Sequence, residues 1–380
     1  MALACLALAS FVALLSLNGA REIPYWGVHT VMAIGILPLI LAVMGYFVPV
    51  LTRTGAEDKS AKLLPLLALA GGASAVAGMA GMAGGLQVGA LLAMAAALGM
   101  IWWMHRRRVL SLGAPHPGLA WYQAALFFLL LGLLAMLVGT AWPAQWPMMR
   151  RLHLHFNLLG FVGLTATGTL QVLLPTAGDY PDPNVTQRLR AGLKYAVGGT
   201  LLIGVGAAWA PVLAWFGLLA WMLPLTALIM ATLRRHKQLR RGAASALASA
   251  LLGYVLVLFS GVLHSVGLLA PRLSVTLFFI VFLLPLVTGA VSYLLPLWRR
   301  PGADNEWITQ VRTGLMRGSL LRALIFPACG LLLLAGAGWA VYPAVATLAV
   351  FIGQIFWAAL RLPREALIKS PLSFRPKGEI

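Results

Sequence analysis

The chain has 380 residues, of which 61% are hydrophobic and 10% charged, and 28 Lys and Arg against 9 Asp and Glu give a net charge of +19. A mean hydropathy of +0.90 excludes a soluble globular protein, because apolar runs near twenty residues long, enough to cross a bilayer as a helix, recur throughout. The charge does not indicate a nucleic-acid partner: the basic residues alternate with the apolar runs and gather on one side of them.

Twelve spans are expected, over 4–20, 25–49, 61–82, 84–104, 118–141, 152–175, 192–210, 212–232, 245–269, 274–297, 319–340 and 342–360. Backbone polar groups in hydrocarbon must pair within the segment, so each span is read as a helix. The expected class is an all-α polytopic membrane protein, a single transmembrane domain over 1–362 in contact with the lipid bilayer, followed by a basic tail over 363–380. The opening MALACLALASFVALLSLNGA lacks the basic leader of a signal peptide and is kept as a helix. With twelve spans, the odd-numbered connections carry only Arg21, Arg150, Arg151 and Arg272. All other Lys and Arg, including Arg106–Arg108 and LRRHKQLRR over 233–241, fall on the opposite side. By the positive-inside rule both termini are cytoplasmic, and the basic face meets anionic lipid. Cys5 and Cys329 stand alone in the first and eleventh spans and carry no disulfide or CxxC signal.

The second, sixth and tenth spans align on their closing prolines, Pro49, Pro175 and Pro296, spaced by 126 and 121 residues. Pro38 and Pro285 both precede the closing proline by 11, and Tyr46 and Tyr293 precede it by 3. The chain therefore reads as three blocks of four helices, over 1–116, 117–241 and 242–362. An even number of helices per block restores the membrane orientation, so the repeats are expected to be parallel, unlike the inverted repeats of many transporters.

The repeat gives the histidines their meaning. His29 opens HTVMAIGILPLILAVMGYFVP and His155 opens HFNLLGFVGLTATGTLQVLLP, each 20 residues before the closing proline. Thr276 takes that place in the third copy. Even-numbered spans run inward, so His29, His153 and His155 begin near the outer face, and His264, near the end of the outward-running ninth span, lies at the same depth. Residues two apart on a regular helix point about 200° apart, so His153 and His155 do not face one metal. The other three, His105, His116 and His236, fall in or beside basic cytoplasmic loops.

No acidic residue stands inside a span, whereas ion-coupled transporters generally keep one there. Nor is there a phosphate-binding glycine loop, a GxSxG or an HExxH sequence. Met79 and Met82, set among Gly and Ala, are read as packing residues rather than copper ligands. The ionisable groups placed for intramembrane chemistry are the histidines, and imidazole suits haem iron and copper. His29, His155, His264 and His153 are thus the candidate haem or metal ligands.

The span opened by His29 and closed by GYFVP resembles the second helix of subunit I in the haem-copper oxidase and nitric oxide reductase superfamily. HLHFNLLGFVGLTATGTLQVLLP resembles the HxH-N-L stretches of the same superfamily, and TRTG over 52–55 resembles the post-helix turns of the NnrS group. The resemblance in topology covers the whole chain, but the motif likeness covers about 50 residues. Two departures narrow it. The seventh span, AGLKYAVGGTLLIGVGAAWAP, lacks the paired copper-binding histidines of respiratory members, and the tenth lacks their haem ligands. The resemblance therefore implies an NnrS-like protein of the bacterial inner membrane, binding b-type haem, with copper as a further cofactor. Its expected role lies in the nitric oxide response or redox homeostasis rather than oxygen turnover. It implies His29 as a haem ligand and His155 with His153 as haem or copper ligands, while His264 rests on depth alone. Expected partners are a small gas such as nitric oxide and a separate electron donor or membrane subunit, because the chain has no CxxCH. Two other readings stand beside it: a transporter or exporter, and a haem-dependent oxidoreductase subunit.

Overall fold

The computed structural model describes residues 2–18, 24–55, 59–299 and 305–360; Arg21 and the expected basic tail lie outside them. Every regular element among the described residues is helical. Eleven helices are long and apolar enough to cross a bilayer: α2 (Tyr25–Thr52), α3 (Ala61–Met79), α4 (Gly85–Val109), α5 (Gly118–Ala141), α6 (Pro143–Ala177), α7 (Val185–Ala208), α8 (Pro211–Leu233), α9 (Gly242–Ser265), α10 (Pro271–Arg299), α11 (Glu306–Leu334) and α12 (Gly338–Ala358). The first apolar helix, α1 (Ala2–Asn18), has 17 residues, at the short end of spanning length. It packs on α12, so the first and last spans meet.

Three boundaries depart from the expected ones for local reasons. α3 stops at Met79 because Gly81 and Gly84 adopt φ of 108° and 72°, a left-handed backbone that glycine tolerates and a helix does not. α6 starts at Pro143, nine residues early, because Pro143 and Pro147 pre-set φ for helix starts. That places His153 and His155 inside a continuous helix rather than at its mouth. α11 starts at Glu306 and is interrupted at Gly318, where φ is 70°. The buried Arg322 closes the break, donating to Arg317 O at 2.9 Å and Leu315 O at 3.0 Å.

The interior is built on α6 and α10, whose apolar windows are 83% and 78% buried, against 22% for α3 and 28% for α8. α3 with α4 and α7 with α8 form closely packed hairpins. Glycines set their approach: Gly71 faces Gly89 and Gly78 faces Gly85 in one, Gly199 faces Gly217 and Gly206 faces Ala214 in the other. Small residues let backbones approach where lipid offers no hydrophobic drive for helices to associate.

α2, α6 and α10 share a feature that no sequence signal announced. Each widens into a π-helix, over Thr30–Ile36, Phe156–Gly163 and Phe278–Leu283. The three segments start 19, 19 and 18 residues before Pro49, Pro175 and Pro296. π-turns are rare and concentrate at functional sites. Two of them present a carbonyl to a neighbouring glycine, Ala33 O to Gly72 and Val281 O to Gly253.

At the end of the bundle opposite the histidine cluster described below, TRTG closes α2. Arg53 takes the left-handed conformation and donates to Leu112 O at 3.4 Å. Arg107 donates to Thr54 Oγ1 and Gly55 O, and Ser111 Oγ donates to Thr52 O at 2.8 Å. His116 completes the seam: its Nδ1 accepts the Gly118 N–H at 3.2 Å. Burial pushes this imidazole below its usual range. A depressed pKa means that folding favours the neutral form, so its contribution holds above the unfolded value near 6.5 and is lost as pH falls. Wild-type protein should therefore lose more thermal stability between pH 7 and 5 than His116→Asn, which keeps an acceptor for Gly118 without titrating. Parallel losses in the two proteins would contradict this.

Candidate metal centre

Four histidines meet at one end of the bundle, and each is anchored the same way. His29 Nδ1–H donates to Tyr25 O at 2.9 Å and His155 Nδ1–H to Arg151 O at 2.8 Å, both one turn back on their own helices. His153 Nδ1–H donates across to Gly132 O of α5 at 2.9 Å. A carbonyl only accepts, so these contacts fix the proton on Nδ1 and leave the lone pair on Nε2. His264 Nδ1 lies 3.2 Å from Ser274 Oγ, and Ser274 itself donates to Ser260 O at 3.3 Å, so the hydroxyl accepts from the imidazole. Thr276 preserves the bond in the third copy, donating to Arg272 O at 3.2 Å, one turn back.

The register of the repeat matches His29 with His155, but the nearest ring to His29 is that of His153. Their centroids are 6.0 Å apart and their planes lie within 8°. His155 is held by its own helix and His264 by Ser274 of α10. No group of three or more His, Cys, Asp or Glu with metal-holding geometry occurs among the described residues. The four ligand candidates thus share one end of the molecule, with His29 and His153 side by side. The mouth is cationic: Arg150 donates to Tyr25 Oη at 3.0 Å, and the guanidiniums of Arg150 and Arg272 lie 5.6 and 5.7 Å from the Tyr25 ring centre.

Of three positioning residues, two carried no distinct sequence signal. Gly132 supplies the carbonyl for His153, and Ser274 the hydroxyl for His264. Asn157, one turn after His153, donates from Nδ2 to His153 O at 2.6 Å. A side chain at Gly132 would meet that Nδ2, since a Cβ there falls 2.7 Å from it. Asn157 was visible in the HLHFN run, but its partner on α5 was not.

The donor set suits a metal. Metal-bound histidines characteristically donate their second ring N–H to a carbonyl or carboxylate, which fixes the tautomer and the ring. Neutral imidazoles without thiolate or carboxylate fit haem iron or copper. No protein-family model matches this sequence, and no curated protein matches it significantly.

Proposed function

We propose that this protein binds haem, with copper as the other suited metal, through the histidine cluster, and acts in nitric oxide response or redox homeostasis as an NnrS-like membrane protein. The observation that carries this reading is the uniform anchoring of four imidazoles through Nδ1, with Nε2 lone pairs left over at one end. When bound, haem iron would supply one-electron chemistry and a site for a small gas. The chain's own residues orient the ligands. Tyr25 O, Arg151 O and Gly132 O hold the tautomers, and α5 and α10 fix His153 and His264 from neighbouring helices.

Three parallel blocks are part of the proposal. The matching π-segments, the two glycine-packed hairpins and the Thr276 bond in the histidine register support them. The outer face is assigned to the histidine end and both termini to the cytoplasm of a bacterial inner membrane, on the distribution of basic residues. An electron donor, where turnover occurs, is a separate subunit.

Purified detergent-solubilised protein, expressed with ample haem, is expected to show a reducible Soret band that His29→Ala and His155→Ala weaken. Colourless wild-type protein without bound copper would falsify the reading.

A further inference from the structure

We propose that a groove at the end of the bundle opposite the histidines is a discrete site for the phosphate of an anionic phospholipid. The site is independent of metal binding, and it is a built pocket rather than the diffuse attraction of a basic face. It lies where α7 begins, has a volume of about 500 Å³, and is lined by Pro183, Thr186, Gln187, Arg190, Ala191 and Lys194. Positions 187, 190, 191 and 194 follow the three- and four-residue spacing that puts side chains on one helix face, and all four are exposed. A guanidinium, an ammonium, a hydroxyl and a carboxamide thus share one concave surface. Guanidinium and ammonium groups are the established partners of phosphate oxygens.

The surrounding charges leave these two cations unopposed. The connection before α7 holds two acids, Asp179 and Asp182, and neither lines the groove. Asp182 is already engaged: Arg188 donates to its two carboxylate oxygens at 3.1 and 2.7 Å, and the Asn184 N–H donates to it at 3.2 Å. Arg188 and Arg190, two residues apart on the helix, point about 200° apart. The pair with Asp182 therefore uses a different face of α7 from the groove. Among the described residues, neither Arg190 nor Lys194 forms an ion pair. Two cations in a groove without a carboxylate concentrate anions there.

Depth makes the occupant a lipid. Residues 191–208 carry Lys194 as their only charge. At 1.5 Å per residue they cover about 27 Å of the roughly 30 Å hydrocarbon core. Arg190 then stands at headgroup level, and Lys194, one turn deeper, reaches back to it along its apolar stem. Lys194 Nζ lies 4.9 Å from the centre of the Tyr195 ring, and tyrosine favours this interface. Below the groove the same helix face continues as an apolar track. Tyr195 and Leu201 are exposed on it, and Gly198 between them has nothing within 4 Å of a built Cβ. A shallow channel for an acyl chain thus runs on from the basic groove. A soluble anion uses the groove alone, whereas a phospholipid uses both parts. A choline headgroup brings a cation that Arg190 and Lys194 repel, so the fitting lipid carries net negative charge.

The test titrates delipidated full-length protein in a neutral detergent with phosphatidylglycerol labelled on its acyl chain and, separately, with phosphatidylcholine labelled in the same way. Fluorescence anisotropy reports binding. Phosphatidylglycerol should bind saturably and about tenfold or more tightly than phosphatidylcholine. Arg190→Gln with Lys194→Gln should weaken phosphatidylglycerol binding about 30-fold. Arg234→Gln with Lys237→Gln removes the same charge outside the groove and should leave binding within about twofold of wild type. Should the groove double variant fail to fold, Gln187→Glu sets a carboxylate on the exposed groove face and should weaken binding about fivefold; no loss in it overturns the site. Equal affinity for the two lipids, or equal losses in the two double variants, overturns the site in favour of a diffuse basic surface. Displacement of the labelled lipid by an equal concentration of inorganic phosphate overturns the lipid as occupant, in favour of a soluble anion.

Discussion

Gly253→Ala is expected to destabilise the protein by about 3 kcal/mol, the upper part of the range for overpacking a well-packed interior. Gly253 lies on α9 against the π-segment of α10, and a Cβ there would fall inside the carbonyl group of Val281. The obstacle is backbone, so no side chain can swing aside. The backbone cannot shift easily either, because Phe278, Phe279 and Phe282 around it are at most 1% exposed. Phe282 is also stacked on Tyr254 with ring centres 4.5 Å apart. Close approach lets the Cα–H of glycine face a carbonyl, a weak contact that any side chain removes. In an open helical position the same substitution has the opposite sign. Gly198 on α7 and Gly353 on α12 have nothing within 4 Å of a built Cβ. Gly198→Ala and Gly353→Ala should stabilise by about 0.5–1 kcal/mol, since alanine restricts the unfolded chain and favours helix. Denaturant unfolding in detergent compares the three directly. Equal stabilities would show that the α9–α10 approach does not constrain the fold.

The helices were legible because bilayer length and hydropathy leave few alternatives, and the eleven apolar spans follow from that alone. The early start of α6 was not, because WPMMRRLHLH is too polar to read as a span; Pro143 and Pro147, not hydropathy, start the helix. The π-segments were also invisible. Their residues are ordinary apolar ones, and the widening is expressed only in how Ala33 O and Val281 O meet glycines from other helices. In the candidate site, the repeat singled out His29 and His155 by register. That His153, not His155, lies beside His29 depends on how α2 and α6 are placed around one another. A periodicity along the chain says which positions are equivalent, not which are neighbours. Gly132 shows the limit most plainly: its part in the site is a backbone carbonyl, which every residue has.

Gly132→Val is therefore the variant that separates a positioned ligand from an incidental histidine. The added side chain meets Asn157 Nδ2, which lies 2.7 Å from a Cβ built at Gly132 and donates to His153 O. Relieving that overlap moves α5 from α6 and lengthens the His153 Nδ1–H bond to Gly132 O, now 2.9 Å. Without this bond the imidazole is free to change tautomer or rotate, and Nε2 is no longer held as the lone-pair nitrogen. Loss of such an outer partner typically costs 10–100-fold in metal affinity. Gly132→Val should thus bind haem or copper at the His29–His153 pair about 10–100-fold more weakly, with a shifted ligand-field spectrum at that centre. Affinity at His155 and His264 should hold, because neither depends on α5: their anchors are Arg151 O and Ser274 Oγ. Asn157→Leu should act in the same direction more mildly, since it removes the donor to His153 O but leaves the Gly132 bond in reach. A merely structural role for Gly132 would lower thermal stability and weaken binding at all four histidines alike. An unchanged spectrum and affinity at the His29–His153 pair would mean that His153 needs no support from α5 to do its work.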